Sequence, residues 1–254
     1  MNFKIAIILS IVLFSNFNIA QSGPIFKSGF EFIPARNDTG ITRAGNDLAG
    51  NIANCISNVL SPQDCNIGRD FTHNDDSDGH AGFSFTKLDA GGIPLIDQTV
   101  EYINTPWSCV KDNITGLIWE VKNETPNSIH HKDIFYKWGG ITAIGLGHPD
   151  AEGIYYNDWN VLVNGSNTEN LCGIDNWRVP NVEELSGITN QGASSPAIDV
   201  NYFPNTVSNE YWSSSPIIAH NNHTAWTVYF DTGFVSFDNR DSSVRLRLVY
   251  SSGQ

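Results

Sequence analysis

The sequence predicts a loop-rich α+β fold made of small antiparallel sheets with one or two short helices. Charged residues form only 16% of the chain, while aromatic residues reach 11% and glycine occurs 22 times. This composition is typical of extracellular β-containing domains rather than helical bundles. Alternating apolar runs predict strands in the last third, and one capped apolar stretch predicts a helix. At 254 residues the chain can bury a sizeable core.

The N-terminus has the pattern of a signal peptide, which we place at residues 1–20. Lys4 precedes an apolar run that is shorter than a typical membrane span, and a small residue, Ala20, marks the predicted cleavage site. Residues 21–50 lack sustained periodicity and carry Gly, Pro, Asn and Asp, so they are predicted to be a flexible linker. The mature protein is therefore expected to be secreted or displayed on the cell surface.

Export changes the interpretation of the four cysteines, because an oxidising compartment favours disulfides over metal or redox roles. The cysteines are Cys55, Cys65, Cys109 and Cys172, and no CxxC motif occurs. Three pairings are possible for four cysteines. We favour Cys55–Cys65, which would close a local loop, and Cys109–Cys172, which would tie distant segments together.

Residues 51–106 are predicted to be an N-terminal extension with an acidic cluster at 72–80, THNDDSDGH. Alternating oxygen donors followed by glycine resemble the opening of a calcium loop. The predicted metal ligands are Asn74, Asp76 and Asp78. The twelfth position of an EF-hand loop would be Phe85, which has no carboxylate, so an EF-hand is excluded. Two alternatives remain open: a solvated turn, which is the leading interpretation, and zinc held with the flanking histidines, which is the least favoured.

The segments after the acidic cluster alternate between strand and turn signals. Residues 82–88 alternate as a strand, and 89–92 form a predicted turn, after which a short strand is expected. Residues 117–121 (LIWEV) are typical of a buried strand. Residues 158–163 are predicted to form a short helix with Asp158 as its N-cap.

The strongest helix start is Asn181, because Glu184 follows three residues later and completes a capping-box pattern. Val182, Leu185 and Ile188 would form its apolar face. The remainder of the chain is predicted to form four strands, at residues 211–215, 225–230, 234–237 and 244–249. Asp231-Thr232-Gly233 is predicted to join the middle two as a hairpin.

Ordered motifs over residues 107–250 resemble the Lcl C-terminal domain family, which is named after a bacterial collagen-like adhesin. The motifs are DNITGLIWE at 112–120, LCGIDNWRVPNVEEL at 171–185, SPAIDVNYFPNT at 195–206, YWSSSP at 211–216, AWTVYFDTGFV at 225–235 and VRLRLV at 244–249. The resemblance implies a C-type-lectin-like fold, shared with formylglycine-generating enzymes, in which the last strands and loops present a binding surface.

The resemblance and the motifs together argue against catalysis. Formylglycine-generating enzymes need reactive cysteines late in the chain, and none follows Cys172. The chain also lacks a GxSxG elbow and an HExxH motif. Lectin-style EPN, QPD and WND motifs are missing as well, so a calcium-bridged sugar site is not implied. The expectation is that the protein is not an enzyme.

Two polar segments, 219–224 and 238–243, connect predicted strands and would lie in loops, where binding residues usually gather. The predicted ligand-binding residues are Asn221, Asn222, His223, Asn239 and Arg240, with Tyr211 and Tyr229 for stacking. The competing interpretation is that these are ordinary exposed loops. Four tryptophans in the motifs are predicted to be mainly structural: Trp119, Trp177, Trp212 and Trp226. Arg178 and Arg245 are predicted to be buried or half-buried pairing residues.

The sequence therefore predicts a bacterial binding module that recognises a glycan or protein ligand in adhesion. One alternative is a structural envelope protein stabilised by calcium, and a less favoured one is an enzyme of the same superfold. The formal net charge of −13 argues against nucleic acid and anionic membranes. A polyanionic ligand would also be repelled unless four arginines cluster: Arg178, Arg240, Arg245 and Arg247.

Overall fold

The computed structural model describes residues 36–46, 50–52, 63–64, 68–69, 76–139, 158–217 and 224–252. Within these ranges the chain is an α+β structure with small antiparallel sheets and few short helices, as the sequence predicts. In chain order the elements are β1 (Ala44–Asn46), β2 (Gly50–Ile52), β3 (Phe85–Leu88), β4 (Cys109–Asp112), β5 (Ile118–Glu120), α1 (Asn160–Thr168), a 3-10 turn (Leu171–Gly173), α2 (Val182–Ser186), β6 (Glu210–Ile217), β7 (Thr224–Tyr229), β8 (Phe234–Asn239) and β9 (Val249–Tyr250). Strands β1 and β2 pair with each other.

One sheet contains four antiparallel strands in the order β3-β4-β5-β9. Strand β3 comes from the predicted N-terminal extension, yet it pairs directly with β4 over four residue pairs. The turn at 89–92 forms as predicted, with the Gly92 amide donating to the Asp89 carbonyl (3.0 Å). The short strand expected after it is reduced to one bridge, between Leu88 and Pro94. The strand that pairs with β3 is instead β4, about twenty residues further along the chain.

The second sheet has the antiparallel order β6-β7-β8. Its three strands were all predicted: β6 and β8 are longer than expected, and β7 is shifted by one residue. In the hairpin between β7 and β8, the Gly233 amide donates to the Tyr229 carbonyl (2.8 Å). Gly233 has φ +81°, a backbone conformation that favours glycine. Strand β6 has an irregularity between Trp212 and Pro216, where its register against β7 shifts.

Helix α2 begins with the predicted capping box. The Asn181 side chain accepts from the Glu184 amide (2.8 Å), and the Glu184 carboxylate accepts from the Asn181 amide (2.8 Å). The cap predicted for α1 is wrong, because its N-cap is Trp159, without a side-chain hydrogen bond. The Asp158 carboxylate instead accepts from the Lys137 amide (2.7 Å) and so fixes a neighbouring loop.

The strand predicted at 244–249 is not continuous. Val244 and Arg245 form isolated bridges, and only Val249–Tyr250 pairs as a strand, with β5. Between them, the Leu248 amide donates to the carboxylate of Glu120 (2.9 Å) rather than to a neighbouring strand. The buried Glu120 side chain has therefore taken the place of the backbone partner that a continuous strand would give the Leu248 amide.

The core comprises two clusters of buried apolar residues, one around Trp159 and Trp177 and the other around Trp119 and Phe203. The predicted disulfide Cys109–Cys172 is confirmed and connects β4 to the 3-10 turn. The predicted Cys55–Cys65 pair lies outside the described residues. In the part of the chain that the structure describes, no helix is long and apolar enough to cross a bilayer.

Candidate functional site

Trp226 on β7 differs from the other six tryptophans, which are all buried in the core. Those six are Trp107, Trp119, Trp138, Trp159, Trp177 and Trp212, each at most 2% exposed. The structural role predicted for Trp119, Trp177 and Trp212 is therefore confirmed. Trp226 is only partly buried, and its assignment to the core is corrected, because its side of the sheet is only partly covered by α2.

Trp226 lines an open groove of about 310 Å³ between α2 and the three-stranded sheet. Its other lining residues are Val182, Glu183, Ser186 and Val235, so the groove is mainly apolar with a carboxylate at its rim. The start of α2 is fixed against the β6 irregularity, because the Val182 amide donates to Ser215 Oγ (3.0 Å). The inner face of α2 buries Leu185 completely. The wall of the groove is thus attached to the sheet.

Strand β8, which forms one side of the groove, is unusually apolar for an exposed strand. Phe234, Val235 and Phe237 are 68%, 46% and 54% exposed. Successive side chains of a strand alternate between faces, so Val235 and Phe237 share the groove face with Trp226. The ring centres of Trp226 and Phe237 lie 6.4 Å apart in an edge arrangement. Phe234 projects from the opposite face.

Acidic groups surround the groove and the adjoining sheet. Glu183 pairs with Arg36 at 3.9 Å, but both side chains are more than 70% exposed, so the attraction is weak. Across the sheet, burial raises the pKa of Glu210, and the nearby Asp238 carboxylate raises it further. Acidic groups therefore lie on both faces of the three-stranded sheet, with Glu183 at the groove and Glu210 and Asp238 on the opposite face.

The structure separates the ligand-binding residues that the sequence grouped. Asn239 is exposed at the end of β8, where it pairs with Thr224. Arg240 is only 2% exposed, and its guanidinium lies 4.2 Å from the ring centre of Trp138. The prediction that Arg240 binds ligand is corrected, because its charge is buried in a structural contact. Asn221, Asn222 and His223 lie outside the described residues.

The two tyrosines predicted for stacking also differ from each other. Tyr211 is completely buried, and its hydroxyl accepts from the Val207 amide (3.1 Å), so its role as a stacking surface is corrected. Tyr229 is 36% exposed at the hairpin end of the sheet. Five residues separate it from Thr224, which at a rise of about 3.4 Å per residue amounts to about 17 Å. The structure does not bring Tyr229 and Asn239 together.

The acidic cluster of the extension is only partly described. The Asp76 carboxylate accepts from the Ala81 amide (3.0 Å), and the Asp78 carboxylate accepts from the Ser84 hydroxyl. Among the described residues no group of three His, Cys, Asp or Glu side chains could hold a metal. Asn74 lies outside them, so calcium binding stays a prediction. Thermal unfolding with and without calcium, beside an Asp76→Ala/Asp78→Ala variant, would test it.

A buried charge network was missed at the level of sequence. Glu120 is completely buried and contacts both Lys122 Nζ and His130 Nδ1 at 2.7 Å. The other His130 ring nitrogen contacts the half-exposed carboxylate of Glu169, just after α1. Arg247 is also fully buried and donates to Thr206 Oγ1 (2.6 Å). The signal that could have indicated this network is the pair Glu120 and Lys122, two opposite charges separated by one residue at the end of a buried strand.

The network changes the protonation of its members. Burial alone would raise the pKa of Glu120, but Lys122 and His130 outweigh it and hold that pKa at about 2. Burial opposes a charged His130, yet Glu120 and Glu169 raise its pKa above the usual value. Because Glu120 and Lys122 are buried away from solvent, we assign the network a structural role.

The comparisons with known proteins identify one family. The model of the Lcl C-terminal domain matches residues 108–250, more than half of the chain. No curated protein and no solved structure matches the chain. The groove residues from Val182 to Val235 all lie within the matched region.

Proposed function

Because the chain belongs to the Lcl C-terminal domain family, we propose that it is an adhesin-like module that binds an extracellular ligand without catalysis. The protein acts in this proposal after export, in the medium or at the cell surface. Its ligand is a glycan or a protein. The signal-peptide pattern at residues 1–20 and the Cys109–Cys172 disulfide both support an oxidising compartment.

The observation that carries the proposal is the partial exposure of Trp226 in the open groove beside α2. Burying an aromatic side chain removes a large apolar area from water, so a partly exposed tryptophan offers substantial binding free energy. Tryptophan is also enriched among the residues that dominate binding. The groove volume of about 310 Å³ falls at the lower end of the range for ligand sites, roughly 300–1,000 Å³.

Charge narrows the class of ligand. The sequence left open a basic surface made of four arginines, but three of them, Arg240, Arg245 and Arg247, are buried. The fourth, Arg178, pairs with both carboxylate oxygens of Glu184 at 2.7 and 2.8 Å. These arginines are already counted in the formal net charge of −13, and they do not form a basic surface. An uncharged glycan or a protein fits better than a polyanion.

The test is an array of purified neutral glycans, sulfated glycans and extracellular matrix proteins, probed with the full chain and two variants. Trp226→Ala removes the groove aromatic, and Phe234→Ala is the matched control because it removes an exposed aromatic on the opposite face. We expect binding that is lost in the first variant and kept in the second, with both variants folded at the assay temperature by circular dichroism. Binding only to sulfated glycans, equal binding by both variants, or a ligand recovered chemically altered would contradict the proposal.

A further inference from the structure

We infer that the ligand is an extended peptide that joins the three-stranded sheet as a fourth strand along β8 and inserts an apolar side chain into the Trp226 groove. This inference rests on the proposed binding function and narrows its ligand class. It combines two observations about neighbouring features, which are the position of β8 as the terminal strand of its sheet among the described residues and the groove beside it.

Strand β8 has the properties of an edge that can accept another strand. It is the terminal strand of its sheet among the described residues. It pairs with β7 over six consecutive residues without a bulge. Natural edge strands usually carry lysine, proline or a bulge that prevents pairing with other chains. The six residues of β8, FVSFDN, contain neither lysine nor proline, and their one charged residue is Asp238, which would favour a basic residue on an added strand.

The groove supplies the side-chain selectivity that a sheet edge lacks. In strand addition, main-chain hydrogen bonds give affinity, and pockets for alternate side chains give specificity. Helix α2 packs across β6, β7 and β8, so Val182 and Ser186 face Trp226 and Val235 across the groove. Alternate side chains of an added strand would point toward this face. A sugar ring could contact Trp226 but lacks the regularly spaced amides and carbonyls that continue a β-ladder.

The surrounding charges define the flanks of the peptide. Glu183 lies at the groove, and Asp238 occupies β8 itself. Asp231 lies in the turn that leads into β8, and its carboxylate accepts from Ser195 Oγ (2.6 Å). Lysine or arginine on either side of the apolar residues would be attracted to these carboxylates, while acidic flanks would be repelled.

The experiment selects binders from a displayed library of random peptides on the full chain, with the Trp226→Ala variant used to remove non-specific binders. We expect enriched peptides with alternating apolar residues, basic flanks and no central proline. The best peptide is then made in a form N-methylated at alternate backbone nitrogens, which keeps the side chains but removes the donors that strand pairing needs.

The affinities of three controls distinguish strand addition from simple apolar contact. We expect Kd to rise about 30-fold for Trp226→Ala, the loss of one hot-spot residue. It should rise by a similar factor when the N-methylated positions face β8 and by less than about threefold for Phe234→Ala. Hydrogen exchange of β8 amides should slow when the unmodified peptide binds.

The outcomes also separate this inference from the broader function. Full binding by both methylated peptides, each modified in one of the two alternate sets of backbone nitrogens, or unchanged exchange in β8, would overturn strand addition. If no peptide is enriched but neutral glycans bind in a Trp226-dependent way, the inference fails and the proposed function stands. If neither peptides, proteins nor neutral glycans bind at Trp226, both fail.

Discussion

Replacing Glu120 with glutamine should strongly destabilise the fold and remove part of its acid sensitivity. The change preserves shape but removes the charge that faces Lys122 and His130, each at 2.7 Å. Lys122 is itself buried, and burial lowers the pKa of its ammonium group, although Glu120 opposes this. In Glu120→Gln, the ammonium loses the anion that compensates for its removal from water.

Two lines of reasoning give the same magnitude. Removing one partner from a buried ion pair costs about 3–5 kcal/mol. The pKa of Glu120 falls from 4.5 to about 2 on folding, and at about 1.4 kcal/mol for each pKa unit this corresponds to about 3 kcal/mol. Since the folded pKa is depressed, this stabilisation is present above about pH 4.5 and is lost as the pH falls toward 2. The difference between wild type and variant should shrink over that range.

Urea unfolding followed by circular dichroism between pH 2 and 7 measures this difference. The matched control is Glu124→Gln, since Glu124 also pairs with a lysine but its side chain is 62% exposed, and its effect should be below about 0.5 kcal/mol. In the double variant Glu120→Gln/Lys122→Met, part of the stability should return because no ammonium is left unpaired. A loss below about 1 kcal/mol for Glu120→Gln at pH 7, or one independent of pH, would refute the reasoning.

Three further substitutions test the scaffold. Replacing both Cys109 and Cys172 with serine should lower the free energy of unfolding in urea by about 4 kcal/mol, because the disulfide closes a loop across a separation of 63 residues. A decrease below about 1 kcal/mol would contradict this argument from chain entropy. Asn181→Ala should lower the unfolding free energy by about 1 kcal/mol through loss of the α2 cap, whereas an unchanged melting temperature would show that the cap is dispensable. Lys87→Met removes an ammonium group that donates to the carbonyls of Gln98 and Val100, each at 2.8 Å. The loop should then open more often, so chymotrypsin should cleave faster at Tyr102. Equal cleavage rates would show that Lys87 does not hold this loop in place.

Local signals in the sequence predicted the elements that depend on neighbouring residues. The capping box of Asn181 and Glu184 was recognisable because its partners are three residues apart. The Asp231–Gly233 turn was recognisable because Gly233 must adopt positive φ. Residues 246–248 alternated like a strand but do not form one, because a distant carboxylate, that of Glu120, binds the Leu248 amide. No local pattern contains that long-range contact.

The candidate site was less predictable because residue type does not reveal exposure. Trp212 and Trp226 occur in similar aromatic motifs, yet Trp212 is completely buried and Trp226 lines the groove. Trp212 points to the opposite face of the sheet, where it packs with Trp138 and Trp159, whereas α2 covers the Trp226 face only in part. Arg240 and Tyr211 illustrate the reverse case, since both have side chains suited to binding but are buried by tertiary packing. Polar composition predicted loops, whereas the groove is formed by a helix and two strands.

The buried charges and the groove also have a common physical consequence. With little regular structure, the domain holds its loops through side-chain contacts such as Glu120 with Leu248 and Lys87 with two carbonyls. A groove on such a scaffold loses little conformational entropy when a ligand binds, provided that α2 stays fixed to β6. One contact that fixes it, beside the buried Leu185, is the hydrogen bond from the Val182 amide to Ser215 Oγ. Ser215→Ala should therefore weaken ligand binding with only a modest loss of stability, in contrast to Glu120→Gln, which should lower stability and leave the affinity of the folded fraction unchanged.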